Sequence, residues 1–88
     1  MTDLEMTRLC AEAMPEWHPD SADPLHDDAQ AMALVKKFHL YIDGLLTHDW
    51  TVALTRGAFS YEALHKDLNR AIVEVIAKMQ AGKQEAMK

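Results

Sequence analysis

Five histidines, one cysteine and a run of acids are the side chains that could do chemistry in this 88-residue chain. His18, Asp20, His26 and Asp28 fall in or beside one segment, and His/Asp sets suit zinc or manganese. No pair among them has a ligand spacing such as H-x3-H on a helix. The prolines between His18 and His26 hold the backbone extended and keep the two rings apart. These residues are therefore read as solvated side chains, and no metal or cofactor is expected. Cys10 stands between Leu9 and Ala13 on an apolar stripe, where a cysteine behaves as a small hydrophobe and is unreactive. Asp27 and Asp28 are neighbours in sequence, so their carboxylates point differently and make a poor acid/base pair. There is no G-x-S-x-G setting and no glycine-rich phosphate loop. The chain reads as non-catalytic.

The remaining candidate is a surface. Residues 1–35 carry eight acids against Arg8 alone, a net of −7, while residues 36–88 carry six acids against eight bases. Between Glu12 and Asp28 there are six acids (Glu12, Glu16, Asp20, Asp23, Asp27, Asp28) and no Lys or Arg. Trp17 lies in their midst. Tryptophan is enriched at interface hot spots, and a rim of one sign speeds encounter with a partner of the other. The segment can therefore meet a basic partner. The competing reading is that the acids cap helices and keep the chain soluble, with Trp17 folded back over the core.

These residues need elements to hold them. Pro15, Pro19 and Pro24 exclude a regular helix or central strand, so 15–25 is a loop. Before it, Thr2 and Glu5 form a capping-box pattern ahead of Met6, Leu9, Cys10 and Ala13 at helical spacing. After it, Asp27 or Asp28 can cap a second helix whose stripe is Met32, Val35 and Phe38, with Ala31 and Leu34 on its shoulders. Lys36 and Lys37 suit its last turn. The period then changes to two. Leu40 and Ile42 alternate with polar neighbours, as do Trp50, Val52 and Leu54, giving a hairpin. Its turn is either Asp43-Gly44 or, the favoured choice, Thr47–Asp49 with Gly44 as a bulge. Arg56-Gly57 ends the hairpin, and Ala58-Phe59-Ser60 could form a short third strand. The last helix is the clearest element: Leu68, Ala71, Ile72, Val75, Ile76 and Met79 share one face, and Leu64 extends that face backwards. Gly82 is its natural stop. Ile72, Ile76 and Trp50 are expected to be nearly buried.

Size and charge bound the rest. A chain of 10.0 kDa is one small domain. Thirteen of its apolar residues are alanine, so the core is thin. The domain is placed at 1–81, with 82–88 as a polar tail. No apolar run spans a bilayer and no N-terminal pattern suggests secretion, so a membrane role is set aside and the cytoplasm is the expected compartment. A lone cysteine excludes an internal disulfide. The bases Lys36, Lys37, Arg56, Lys66, Arg70, Lys78 and Lys83 are dispersed among acids without a nucleic-acid-binding signature. A two-stranded sheet has free edges, and pairing them in a homodimer would bury more surface.

Three segments carry a family resemblance: PLHDDAQAMALVKKF (Pro24–Phe38), DWTVAL (Asp49–Leu54) and DLNRAI (Asp67–Ile72) with the helix that follows to KMQ. With LCAEAM (Leu9–Met14), they resemble the phage ABA sandwich domain family over roughly Thr7 to Gln80. The resemblance implies a helix–sheet–helix sandwich encoded in phage or prophage genomes, in a host bacterial cytoplasm, and carries over no catalytic or binding residue. The sequence thus predicts an α+β domain, a small antiparallel sheet packed between helices in the order helix-helix-hairpin-helix. Its expected role is a non-catalytic phage-type accessory protein that works by contact with a host or phage protein. A small metal-binding or enzymatic domain, and a nucleic-acid module using the basic C-terminal half, are the alternative classes.

Overall fold

Each helix begins where a side chain can satisfy its first N–H groups. Thr2 caps α1 (Asp3–Ala13): its Oγ1 accepts from the Glu5 N–H at 3.1 Å, and its hydroxyl donates to the Glu5 carboxylate at 3.2 Å. Asp27 caps α2 (Asp28–Phe38), accepting from the N–H groups of Ala29 and Gln30. Asp67 does the same for α3 (Leu68–Ala86), accepting from the Asn69 N–H at 3.0 Å. The α2 helix closes at His39, which takes a left-handed φ of 53° so that its N–H and that of Leu40 reach the Val35 carbonyl. The computed structural model describes residues 1–18, 20–44 and 49–86.

Three antiparallel strands form one sheet in the order β1 (Tyr41–Asp43), β2 (Trp50–Arg56), β3 (Phe59–His65). The fold class is α+β, with the element order read from the sequence. The third strand is longer than Ala58–Ser60. It includes Leu64, which faces outward opposite Thr51 rather than extending α3. Gly57, at φ 59°, makes the tight β2–β3 turn in a backbone region that other residues rarely enter. Asp43 pairs with Thr51, so the chain does not reverse at Asp43-Gly44. The alternative turn involves Thr47 and His48, which lie outside the described residues.

The sheet is buried on one side only. Val52 and Leu54 are buried and pair with Ala63 and Tyr61; Thr51, Ala53 and Thr55 point the other way. Against the apolar side packs α3, which also touches α1 and α2. The last helix, rather than the sheet, is the element that every other layer meets. Its sequence shows why. Ala71, Ile72, Val73, Val75, Ile76, Ala77 and Met79 are all buried. At 100° per residue they occupy about two-thirds of the circumference. Only Arg70, Glu74 and Lys78, spaced by four, leave a polar strip. The one-face stripe expected from the sequence therefore omits Val73 and Ala77.

The three helices run in the same direction. At one end Arg70 Nη2 meets Asp3 at 2.7 Å, and Asn69 donates to Asp28 at 2.7 Å, so all three N-termini gather there. At the other end Lys37 Nζ donates to the Ala13 carbonyl at 3.1 Å, tying the ends of α1 and α2. Consecutive parallel helices need a connection that travels back along their length, and residues 14–27 are that connection.

Three expectations are corrected. Trp50 is 38% exposed because it opens β2 at the margin of the sheet, paired with His65. Its ring lies over Gly44, where an added Cβ would come within 2.7 Å of it. In α2 the buried centre is Ala31 and Leu34, while Met32 is exposed. The α3 helix continues through Gly82 to Ala86, because Ala81, Lys83, Gln84, Glu85 and Ala86 are strong helix formers that outweigh one glycine.

Candidate functional site

The acidic segment is a built connection. Its first turn hangs on the His18 carbonyl, which accepts from the N–H groups of Ser21 and Ala22 and from the Ser21 hydroxyl. The next turn hangs on the Asp23 carbonyl, which accepts from the N–H groups of His26 and Asp27. Within this second turn Pro24 and Leu25 are buried, so the loop is anchored from inside by two apolar side chains. Gln30 reaches back from α2 and accepts from the Asp23 N–H at 2.7 Å.

This frame divides the six acids and the tryptophan. Asp27 is the α2 cap, and Asp28 receives the Asn69 amide across the helix ends. Asp23 bonds His26 Nδ1 at 2.9 Å. These three hold structure as well as charge, and they sit at the positive ends of three aligned helix dipoles, where carboxylates are favoured. Glu12 is exposed on the last turns of α1. Glu16 and Asp20 face solvent, and the Asp20 side chain is 93% exposed, 3.9 Å from His18 Nδ1. Trp17 is half-buried and packs against the core. The acids thus share a chain segment but do not converge on one point.

The other candidate chemistry is dispersed. Among the described residues no group of three or more His, Cys, Asp or Glu side chains is placed to hold a metal ion. His18 Nδ1 accepts from the Asp20 N–H, and His26 engages Asp23. Cys10 is fully buried in α1, and its thiol donates to the Val73 carbonyl at 3.7 Å. Several bases are also engaged. Arg70 lies between Asp3 and Glu74, Lys78 donates to the Glu62 carbonyl, and Lys37 holds Ala13. Sequence reading misses Asn69 and Arg70 as ties, since their partners lie 41 and 67 residues away and no local pattern signals them.

His26 carries a measurable signature of the connection. The hydrogen bond to Asp23, then the charge of Asp23, raise its pKa above 6.5, with Asp3 and Asp67 adding to the effect. The folded value is raised, so the pair's contribution to stability is present below about pH 6.5 and fades as pH rises through the folded pKa. Proton NMR titration of the five histidines should place the His26 midpoint above that ordinary value, and Asp23→Asn should bring it down. A midpoint unmoved by Asp23→Asn would mean that the contact is not formed in solution.

No helix among the described residues is long and apolar enough to cross a membrane. Comparison of the chain with protein-family models, with curated proteins and with solved structures finds no match.

Proposed function

We propose that this chain is a small accessory protein of phage or prophage type that acts by protein–protein contact and not by catalysis. Its acidic segment would meet a basic partner, such as a host protein's nucleic-acid-binding surface. The phage assignment rests on the resemblance of Pro24–Phe38, Asp49–Leu54 and Asp67–Ile72 described above. The contact reading is carried by one observation: Glu16 and Asp20 project to solvent from a segment free of Lys and Arg, with no cap to supply and no helix to tie. Charges held this way steer encounter more than they add affinity.

The test replaces Glu16 and Asp20 by Gln and Asn. Asp23 is left in place because it holds His26. The double variant should melt within about 0.5 kcal/mol of the parent, as exposed substitutions usually do. A basic partner captured from bacterial lysate should associate several-fold more slowly with it at low salt, and the salt dependence of the rate should flatten. A captured partner that binds parent and double variant at equal rates at low salt would refute the role of this segment. Trp17 serves as a structural control. Because it packs on the core, Trp17→Ala should lower the melting temperature by several degrees in differential scanning calorimetry.

A further inference from the structure

The β3 strand lies at an edge of the sheet and pairs with β2 without a break over its seven residues. Its other side is open, and the register says which groups look out from it. Gly57 and Ala58 form a two-residue turn, so Arg56 and Phe59 are the hydrogen-bonded pair that closes the hairpin. Bonded and non-bonded pairs then alternate, which turns the N–H and C=O groups of Ser60, Glu62 and Leu64 away from β2. A contact from α3 agrees with this phase: Lys78 Nζ donates to the Glu62 carbonyl at 2.8 Å. Among the described residues no other group bonds to this edge. The opposite edge, β1, offers only three residues.

Such a row is a template for another strand, and lysine on an edge guards against casual pairing. Here the guard is one exposed side chain on one carbonyl. An incoming amide N–H can replace it, and the ammonium then returns to water. The side chains beside the edge say which strand fits. Ser60, Glu62 and Leu64 share the outer face of the sheet, and all three are exposed. Residues 59–65 hold one acid, Glu62, and no Lys or Arg. A second copy of the chain fits poorly. The two-fold register that pairs all three outward residues sets Glu62 against its own copy, and like charges directly opposite are destabilising. Moving the axis one residue either way leaves Ser60 or Leu64 opposite a residue outside the strand. A different chain with a basic residue opposite Glu62 and an apolar one opposite Leu64 meets both demands, and strand addition is a recurring mode of peptide recognition.

We propose that the free edge of β3 takes up an extended segment of a partner polypeptide as a fourth strand. A Lys or Arg of that segment stands opposite Glu62, and Lys78 leaves the Glu62 carbonyl to admit it. This goes beyond the acidic-segment reading and uses neither Glu16 nor Asp20, so the two can fail separately.

The probe is the peptide Ac-Val-Thr-Lys-Thr-Thr-NH2, which in antiparallel register sets its Lys opposite Glu62 and its Val opposite Leu64. Two-dimensional NMR of the intact chain should show saturable shifts at residues 60–64, with slower hydrogen exchange at the N–H groups of Ser60, Glu62 and Leu64. Glu in place of the probe's Lys should weaken binding about threefold or more. Methylating the nitrogen of that Lys, which faces the Glu62 carbonyl, should weaken it about tenfold, while methylating the nitrogen of either Thr beside it, which faces away, should not. Lys78→Met should strengthen binding several-fold, because the carbonyl is then open. Leu64→Pro removes one outward N–H at a place where edge strands accept proline, and should weaken binding about tenfold in a folded chain. If that variant does not fold, the N-methylated peptides still decide. Absence of shifts at 60–64, equal binding of the N-methylated peptides, or weaker binding to Lys78→Met would overturn the proposal. Equal binding of the Lys and Glu probes would overturn the basic assignment. A dimer in sedimentation equilibrium that Leu64→Pro dissolves would give the edge to a second copy and overturn the choice of occupant.

Discussion

Replacing Ile76 by Ala should cost roughly 2–5 kcal/mol, which is a large share of the stability of a domain this size. Ile76 is fully buried in the helix that meets every other layer of the fold. Truncation there removes contacts from more than one side, and the surroundings have little freedom to collapse. The main chain around it is fixed by α3's own hydrogen bonds. Its buried neighbours Ile72 and Val75 are β-branched, with few rotamers available. The upper part of the range is therefore expected. Chemical denaturation with matched slopes for parent and variant gives the measurement. A loss below about 0.5 kcal/mol would mean that α3 is not the centre of the core.

Cys10 should resist an uncharged maleimide in the native chain and react freely in denaturant. Burial pushes its thiol from 9.0 up to about 12, which lowers the reactive thiolate at neutral pH by about a thousandfold. Enclosure adds a second barrier, since the sulfur lies against the Val73 carbonyl between α1 and α3. Native labelling must then proceed through opening of that contact, and its rate reports how often α1 leaves α3. The two experiments join here. If opening is global, Ile76→Ala should accelerate native labelling by about thirtyfold or more for a 2 kcal/mol loss. Native labelling as fast as in denaturant would place Cys10 on an exposed face and contradict the packing of α1.

The elements that were legible in the sequence are those whose signals are local. Asp27 ahead of Ala29 and Gln30, Thr2 ahead of Glu5, and the alternation of Val52 and Leu54 each depend on neighbours within a few residues. What escaped depends on partners far along the chain. Val73 and Ala77 look like the off-stripe side of an amphipathic helix until α1 is seen docked on that side. Leu64 fits a helical face by spacing but is held in β3 by pairing with Thr51. The candidate surface was half legible. The run of acids is plain, yet that Asp28 is spent on a tie is decided by Asn69, 41 residues away, which only the folded chain brings within reach.

The thiol of Cys10 and the carbonyl that receives it are 63 residues apart. Contacts of that reach require a long loop to close before they return anything, which slows folding. On a ribosome the order is harsher. While residues 1–66 emerge, Met6, Cys10, Met14, Leu34, Val52 and Leu54 lack the partners that will exclude water from them, because Ile72, Val73, Val75 and Ile76 are still to be made. The nascent chain must therefore carry its apolar side chains uncovered until α3 has been made. During that interval the concentration of acids in its first 35 residues has a further effect: chains repel one another while the surfaces that would make them aggregate are open.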